Sequence, residues 1–239
     1  MPVSTELEVK VEKRVASISL LFFLLLGRAD TASAQELHPK LKGGEKAIRT
    51  VLVLPPKVEI VKQGVKGTEG MIKESQEVEE IVLKVVTKVL DEKRIKLANT
   101  PFTPQALDAN AELKYSLADA QNKYDALLPK LRKKPKDVAK GRFTLGDEVV
   151  NVNPDGSADA LLFIRAYGVK PTTGKTALGA LMLRLNVPFV SLSIGLVDSR
   201  TGEVLFFAKP VAFDDAVARG EKALYKPIAK SLKKLPNVP

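Results

Sequence analysis

Three strand-like runs between residues 159 and 209 constrain this chain more than any other feature: 160–168 (ALLFIRAYG), 189–197 (FVSLSIGLV) and 203–209 (EVLFFAK). Val190, Leu192, Ile194 and Leu196 alternate with Ser191, Ser193 and Gly195, the period of two shown by a strand that buries one face. Residues 198–202 (DSRTG) supply turn chemistry, with Gly202 free to take positive φ, so the third run is expected to return along the second as a hairpin. Between the first two runs lies a segment, 171–188 (PTTGKTALGALMLRLNVP), polar at its start and apolar later. A short hairpin needs only a few connecting residues, yet twenty separate Gly168 from Phe189.

A chain of 239 residues can bury one sizeable core, and the first 34 residues are not expected to belong to it. Lys13 and Arg14 precede the apolar run 15–27 (VASISLLFFLLLG), which leads to Ala32-Ser33-Ala34. A charged start, a short apolar run and small residues at a cleavage point make a secretory signal, with Gln35 as the mature start. The alternative is a retained anchor helix, although the run is shorter than the ~20 apolar residues of a comfortable span. There is no cysteine, which excludes disulfides, a thiol nucleophile, a thiolate metal site and an amino-terminal lipid anchor. An ordinary apolar core must hold the fold. The net charge of +10 lies outside the signal region, where four basic residues (Lys10, Lys13, Arg14, Arg28) cancel four acidic ones (Glu6, Glu8, Glu12, Asp30). Such a chain favours anionic surfaces. Nucleic acid is not an expected partner, since the chain is read as exported and has no tryptophan and few aromatics for base stacking.

Residues 35–47 are polar and read as a flexible leader before one domain, 48–239. A buried strand at 50–54 (TVLVL) ends at Pro55-Pro56, and 57–61 extends it past a kink; Gly64, Gly67 and Gly70 mark a loop. The clearest helix is 73–93, where Val78, Ile81, Val82, Val85, Val86, Val89 and Leu90 form one apolar face. A short strand, 95–98, follows. Thr103-Pro104 is a capping hydroxyl before a first-turn proline, starting helical sequence that runs to about Arg132 with a break expected near Pro129. Residues 151–159 turn into the next strand. Asp214-Asp215 can cap a last helix that reaches about Leu235, with Gly220 and Pro227 expected either to interrupt it or to delay its start to near Glu221. The fold class expected is therefore α/β: a mixed sheet of about five strands with helices packed on it, a strand–helix–strand unit followed by a C-terminal hairpin and helix.

Val51-Leu-Val-Leu-Pro55, the apolar helix before Ile95-Lys-Leu97, Asp159-Ala-Leu-Leu-Phe-Ile164, Leu192-Ser-Ile-Gly-Leu-Val-Asp198 and Thr201-Gly-Glu-Val-Leu205 together resemble the amino-terminal domain of TolB and its relatives among bacterial envelope factors. These include the curli secretion lipoprotein CsgG and the outer-membrane activators of peptidoglycan synthases. The resemblance covers most of 48–235 and consists of fold-shaped patterns without a catalytic signature. It implies a non-enzymatic accessory or assembly protein and offers no catalytic residue to carry over. Many relatives are lipoproteins, and the missing cysteine departs from them.

Chemical motifs are sparse. Residues 168–176 (GVKPTTGKT) imitate a phosphate-binding loop, but five residues separate the glycines where four are needed, and Pro171 has no N–H to offer. A surface turn is the better reading. Residues 151–159 imitate a calcium loop, but Asn151 stands first and Leu162 stands where a bidentate glutamate belongs, so an Asx-type turn is expected. The lone His38 sits in the leader, and the pairs Asp147/Glu148 and Asp214/Asp215 read as caps. No catalytic, cofactor-binding or metal residues are assigned. Candidate anion-binding residues are Lys130, Arg132, Lys133, Lys134, Lys136, Lys140 and Arg142, in one basic run, with Lys222, Lys226 and Lys230 on the last helix. Leu178, Leu181, Met182 and Leu185 fall on one helical face and are candidates for partner docking, the other reading being core. The functional expectation is an exported, periplasmic or secreted, non-catalytic envelope protein that binds an envelope protein or an anionic envelope polymer. Self-association and peripheral membrane contact are compatible with it, and the alternative is a hydrolase acting on an envelope polymer.

Overall fold

The computed structural model describes residues 35–64, 67–172 and 187–237. The signal region 1–34 and the docking candidates Leu178, Leu181, Met182 and Leu185 lie outside the described residues. The chain begins with β1 (Gln35–Leu37) and the single-turn helix α1 (Pro39–Lys42). It continues through β2 (Thr50–Val53), β3 (Lys57–Gly64), β4 (Gly67–Gly70), α2 (Ile72–Glu92) and β5 (Lys96–Leu97). Next come α3 (Pro104–Ala109), α4 (Ala111–Lys133) and two 3-10 segments, Pro135–Lys140 and Asp147–Val152. The last elements are β6 (Ala160–Pro171), β7 (Phe189–Asp198), β8 (Val204–Ala208), β9 (Val211–Ala212), α5 (Ala216–Arg219) and α6 (Glu221–Leu232).

The sheet is mixed, as expected, but it has nine strands among the described residues, in the order β1-β8-β7-β6-β2-β5 with β3, β4 and β9 off that path. Four strands escaped the count of about five: β1, β4 and β9, at two to four residues, carry too little periodicity to read, and β3 was read as a continuation of β2. The strand–helix–strand unit is present, β2 and β5 pairing in parallel across α2. The β7–β8 hairpin turns at Gly202, whose φ is +70°. β2 and β3 are two lengths of one track: Val51–Val53 lie parallel to Ala160–Leu162, and Lys57–Gln63 to Arg165–Pro171. Between them three residues, Leu54-Pro55-Pro56, face two on β6, so the prolines sit in a bulge where their missing N–H groups break no ladder. The Pro55 carbonyl there accepts from Gln121 Nε2 at 2.9 Å. The glycine-marked loop is in fact the β3–β4 hairpin.

Helices cover both faces. Val78, Val82, Val85, Val86, Val89 and Leu90 of α2, with Leu224, Ile228 and Leu232 of α6, pack on Leu162, Ile164, Leu192, Ile194 and Leu196. Burying one such side chain is worth about 1.5–3 kcal/mol before entropy, which compensates for the mediocre helix propensity of valine. Leu113, Leu117, Tyr124, Leu128 and Leu131 of α4 pack on Leu161, Phe163, Val204 and Phe207 from the other side. The alternation along β7 therefore does not mean one buried face: Ser193 is 1% exposed, because α4 lies across it. The helical stretch from Thr103 is interrupted at Asn110, not near Pro129, which lies inside α4. Thr103 caps α3, accepting from the Ala106 N–H at 3.2 Å, and Asn110 caps α4, accepting from the Leu113 N–H at 2.9 Å.

Residues 35–47 are not a flexible leader. β1 pairs antiparallel with β8, Leu41 is buried, and Lys46 forms an ion pair with Asp198, beside the β7–β8 turn. Polar composition concealed this because the segment uses its charges as anchors.

Candidate functional site

The basic run 130–142 ends α4 and continues into the 3-10 segment Pro135–Lys140, which closes on Gly141 at φ +64°. Arg132 donates from Nε to Ser193 Oγ at 3.1 Å, and the Arg132 carbonyl accepts from Lys209 Nζ at 3.1 Å. Lys140 and Arg142 share Asp137, at 3.3 and 3.8 Å. Lys130, Lys133, Lys134 and Lys136 are exposed, and no ion pair neutralises them among the described residues. On α6, Lys222, Lys226 and Lys230 are exposed opposite Leu224, Ile228 and Leu232. The structure does not bring these two groups onto one helical layer, since α4 and α6 cover opposite faces of the sheet.

Beneath α4 lies a buried polar cluster that the sequence did not reveal. Arg165, on β6, is 6% exposed and donates to Asp125 Oδ1 at 2.6 Å, to the Ile164 carbonyl at 2.9 Å and to Gln121 Oε1. Lys57 reaches the other oxygen of Asp125 at 2.6 Å. Burial raises the Asp125 carboxyl's pKa, but the hydrogen bonds and charges of Arg165 and Lys57 outweigh it and hold the pKa below the ordinary value. Tyr124 stacks on Phe163 with centroids 4.4 Å apart, and the Arg165 guanidinium lies 5.3 Å from its ring centroid. The fully buried Tyr124 hydroxyl has no partner among the described residues, and burial pushes its pKa well up. A buried cation on a strand facing an aspartate and a glutamine one helical turn apart on a distant helix carries no readable spacing, which is why the cluster was missed.

His38, expected in a mobile leader, is 4% exposed. Its Nδ1 accepts from the Lys40 N–H at 3.2 Å, capping α1, so the neutral ring carries its proton on Nε2. Burial lowers its pKa; the Glu203, Asp198 and Glu45 carboxylates oppose this and Lys40 assists it. Lys40 pairs with Glu203 at 2.5 Å, and this hydrogen bond holds the Glu203 carboxyl below the ordinary range. The arrangement is a structural strap with no nucleophile in it.

The remaining motifs hold structural posts. The Asn151–Asp159 stretch is an Asx-type turn: Asp155 Oδ1 accepts from the Ser157 N–H, Asn153 Oδ1 from Ala158, and Asp159 Oδ2 from the Arg49 and Thr50 N–H groups. Asp215 caps α5 through the Val217 and Ala218 N–H groups, Asp214 accepts from Arg219 at 2.6 Å, and Glu148 pairs with Lys123 at 3.2 Å. Gly168 lies inside β6; Gly174 and Lys175 of the phosphate-loop imitation lie outside the described residues. No group of three or more acidic or histidine side chains is placed to hold a metal ion among the described residues. A cleft of about 530 Å³ opens at the start of α4, floored by Leu52, Leu113 and Val152 and rimmed by Asn99, Asn110, Asn151 and Glu112. Among the described residues no basic side chain lines it. Among the described residues no helix is long and apolar enough to cross a membrane.

These features define a three-layer α/β domain with a basic surface. No protein-family model and no curated protein matches the chain. Solved structures that resemble it include the PelC dodecamer from Paraburkholderia phytofirmans, 13% identical, covering 86% of this chain and 96% of that one at a TM-score of 0.42. The lipoprotein GNA1162 of Neisseria meningitidis is 15% identical over 77% of this chain and 99% of that one, at 0.33. The LpoB C-terminal domain of Salmonella enterica is 12% identical over 73% and 94%, at 0.25. Likeness at that level carries no argument about activity.

Proposed function

We propose that the chain is an exported, non-catalytic component of a bacterial cell envelope that works by binding, its basic surface docking on an anionic envelope polymer or an acidic envelope protein. One observation carries this: four lysines within seven residues, Lys130, Lys133, Lys134 and Lys136, are exposed and unneutralised where α4 ends. A folded monomer gains nothing from concentrating like charges there, and the helix's own negative end only partly offsets their repulsion. The signal-like start and the resemblance of the strand and turn motifs to envelope accessory factors support the exported, assembly-factor side of the reading. Self-association is compatible with it.

Co-sedimentation with peptidoglycan and with lipopolysaccharide tests the proposal. Binding should weaken steeply as the Debye length shrinks from ~10 Å at 0.1 M salt to ~3 Å at 1 M. Exchanging Lys130, Lys133, Lys134 and Lys136 together for Gln should lower affinity while leaving the melting temperature unchanged. Salt-independent binding, or binding untouched by the exchange, overturns the electrostatic mechanism.

A further inference from the structure

The cleft at the start of α4 has the size of a small-ligand pocket, about 530 Å³ against the ~300–1,000 Å³ usual for such sites. Its floor is aliphatic: Leu52, Leu113 and Val152 are buried, and Pro101 and Pro154 add to it. Part of its polar rim is held in place by the chain itself. Asn110 Oδ1 accepts from the Leu113 N–H at 2.9 Å, Thr100 Oγ1 from the Phe102 N–H at 3.3 Å and Asp155 Oδ1 from the Ser157 N–H at 3.1 Å. Asn153, 3% exposed, donates from Nδ2 to the Ala158 carbonyl at 3.0 Å and braces the turn that carries Asp155. The rest of the rim has no such task. Asn99, Glu112 and Asn151 make no hydrogen bond or ion pair among the described residues, and Asn110 Nδ2 has no partner there either.

We infer that this cleft binds an uncharged saccharide. Four carboxamides and two hydroxyls line it beside the carboxylates of Glu112 and Asp155, and among the described residues it has neither a basic side chain nor an aromatic ring. An anion would meet two carboxylates and no counter-charge. A flat aromatic ligand would find no ring to stack on, and a lipid chain would leave the polar rim without partners. A sugar ring satisfies both halves of the surface. Its C–H face lies on the aliphatic floor, and its hydroxyls, each donor and acceptor, pair with amides that do both and carboxylates that accept. The anchored part of the rim is preorganised, so ordering on binding is confined to Asn99, Glu112 and Asn151. Such binding is independent of the role proposed for the basic run, since it needs no lysine, and salt should not weaken it.

Calorimetric titration of the full mature chain with cellotriose and chitotriose, two uncharged trisaccharides, is the test. At least one should bind with millimolar affinity, equally at ~0.1 M and ~1 M salt. The double variant Asn99→Ala, Asn151→Ala should bind it roughly tenfold more weakly, two hydrogen-bonding side chains being lost. Both asparagines are exposed and hold no structural bond among the described residues, so the variant's thermal melt should match the wild type. Exchange of Lys130, Lys133, Lys134 and Lys136 for Gln should leave sugar binding unchanged. No heat with either sugar overturns the inference, as does equal binding by wild type and double variant. Sugar binding that is lost at high salt or in the lysine exchange overturns it too, and assigns the sugar to the basic surface. Loss of a wild-type oligomer in the double variant, with sugar binding unchanged, overturns it in favour of a contact between copies. Sugar binding of the expected kind without salt-sensitive binding to either envelope polymer upholds it and rejects only the basic-surface mechanism.

Discussion

Tyr124 shows how tightly single residues are committed beneath α4. A Cβ added at Gly195 would sit 2.5 Å from the Tyr124 hydroxyl and 2.8 Å from its ring, so β7 carries glycine where the tyrosine lies on it. Gly195→Ala should therefore destabilise by about 1–3 kcal/mol, the usual cost of overpacking. Tyr124→Phe should do the reverse, since it removes a buried hydroxyl with no partner among the described residues, a group whose desolvation costs about 1–3 kcal/mol. Paired thermal melts check both signs. His38 gives the protein a pH response. Its folded pKa lies below the ordinary value of 6.5, so stability is full above pH 6.5 and is lost as pH falls toward the folded pKa. Protonation also removes the Nδ1 acceptor that caps α1. Denaturant midpoints should fall with acidification below pH 6.5, before the carboxylates titrate, and His38→Asn should flatten that window.

Among the elements, the long helices were legible and the short strands were not. α2 shows its apolar face over six turns, and Thr103-Pro104 announces α3 by the chemistry of its cap. Asn110 was the unread signal: its side chain restarts the helix as α4, while Pro129, taken for a breaker, is accommodated inside it. Asn110→Ala should then cost about 1 kcal/mol, the ordinary worth of a cap, measured by urea denaturation. An Asn110→Asp variant should keep most of it. The site was legible only as composition: the basic run could be read, but not that Asp137 holds two of its members and Ser193 a third while four remain free.

For the whole molecule, the segment 35–47 turns from appendage into part of the sheet. β1 edges β8, the His38 N–H donates to the Leu205 carbonyl at 2.8 Å, and Lys46 and Lys40 anchor to Asp198 and Glu203. A chain starting at Ile48 should lose several kcal/mol, because it strips β8 of its neighbour and leaves the nearly buried Asp198 without its lysine. A truncation that melts with the full mature chain would show the segment to be an appendage after all.

Sequence alone determined the class of fold, the α2 face, the caps at Thr103 and Asp215, the hairpin at Gly202 and the abundance of positive charge. Each of these is written in local periodicity or in the preference of one residue for one backbone state. Tertiary structure alone decided that β2 and β3 share one track on β6, that α4 covers the second face of β7 at Ser193, and that Arg165 finds Asp125. Those outcomes depend on which distant surfaces meet, and a helix's reach across a sheet is set by packing geometry that leaves no spacing in the chain.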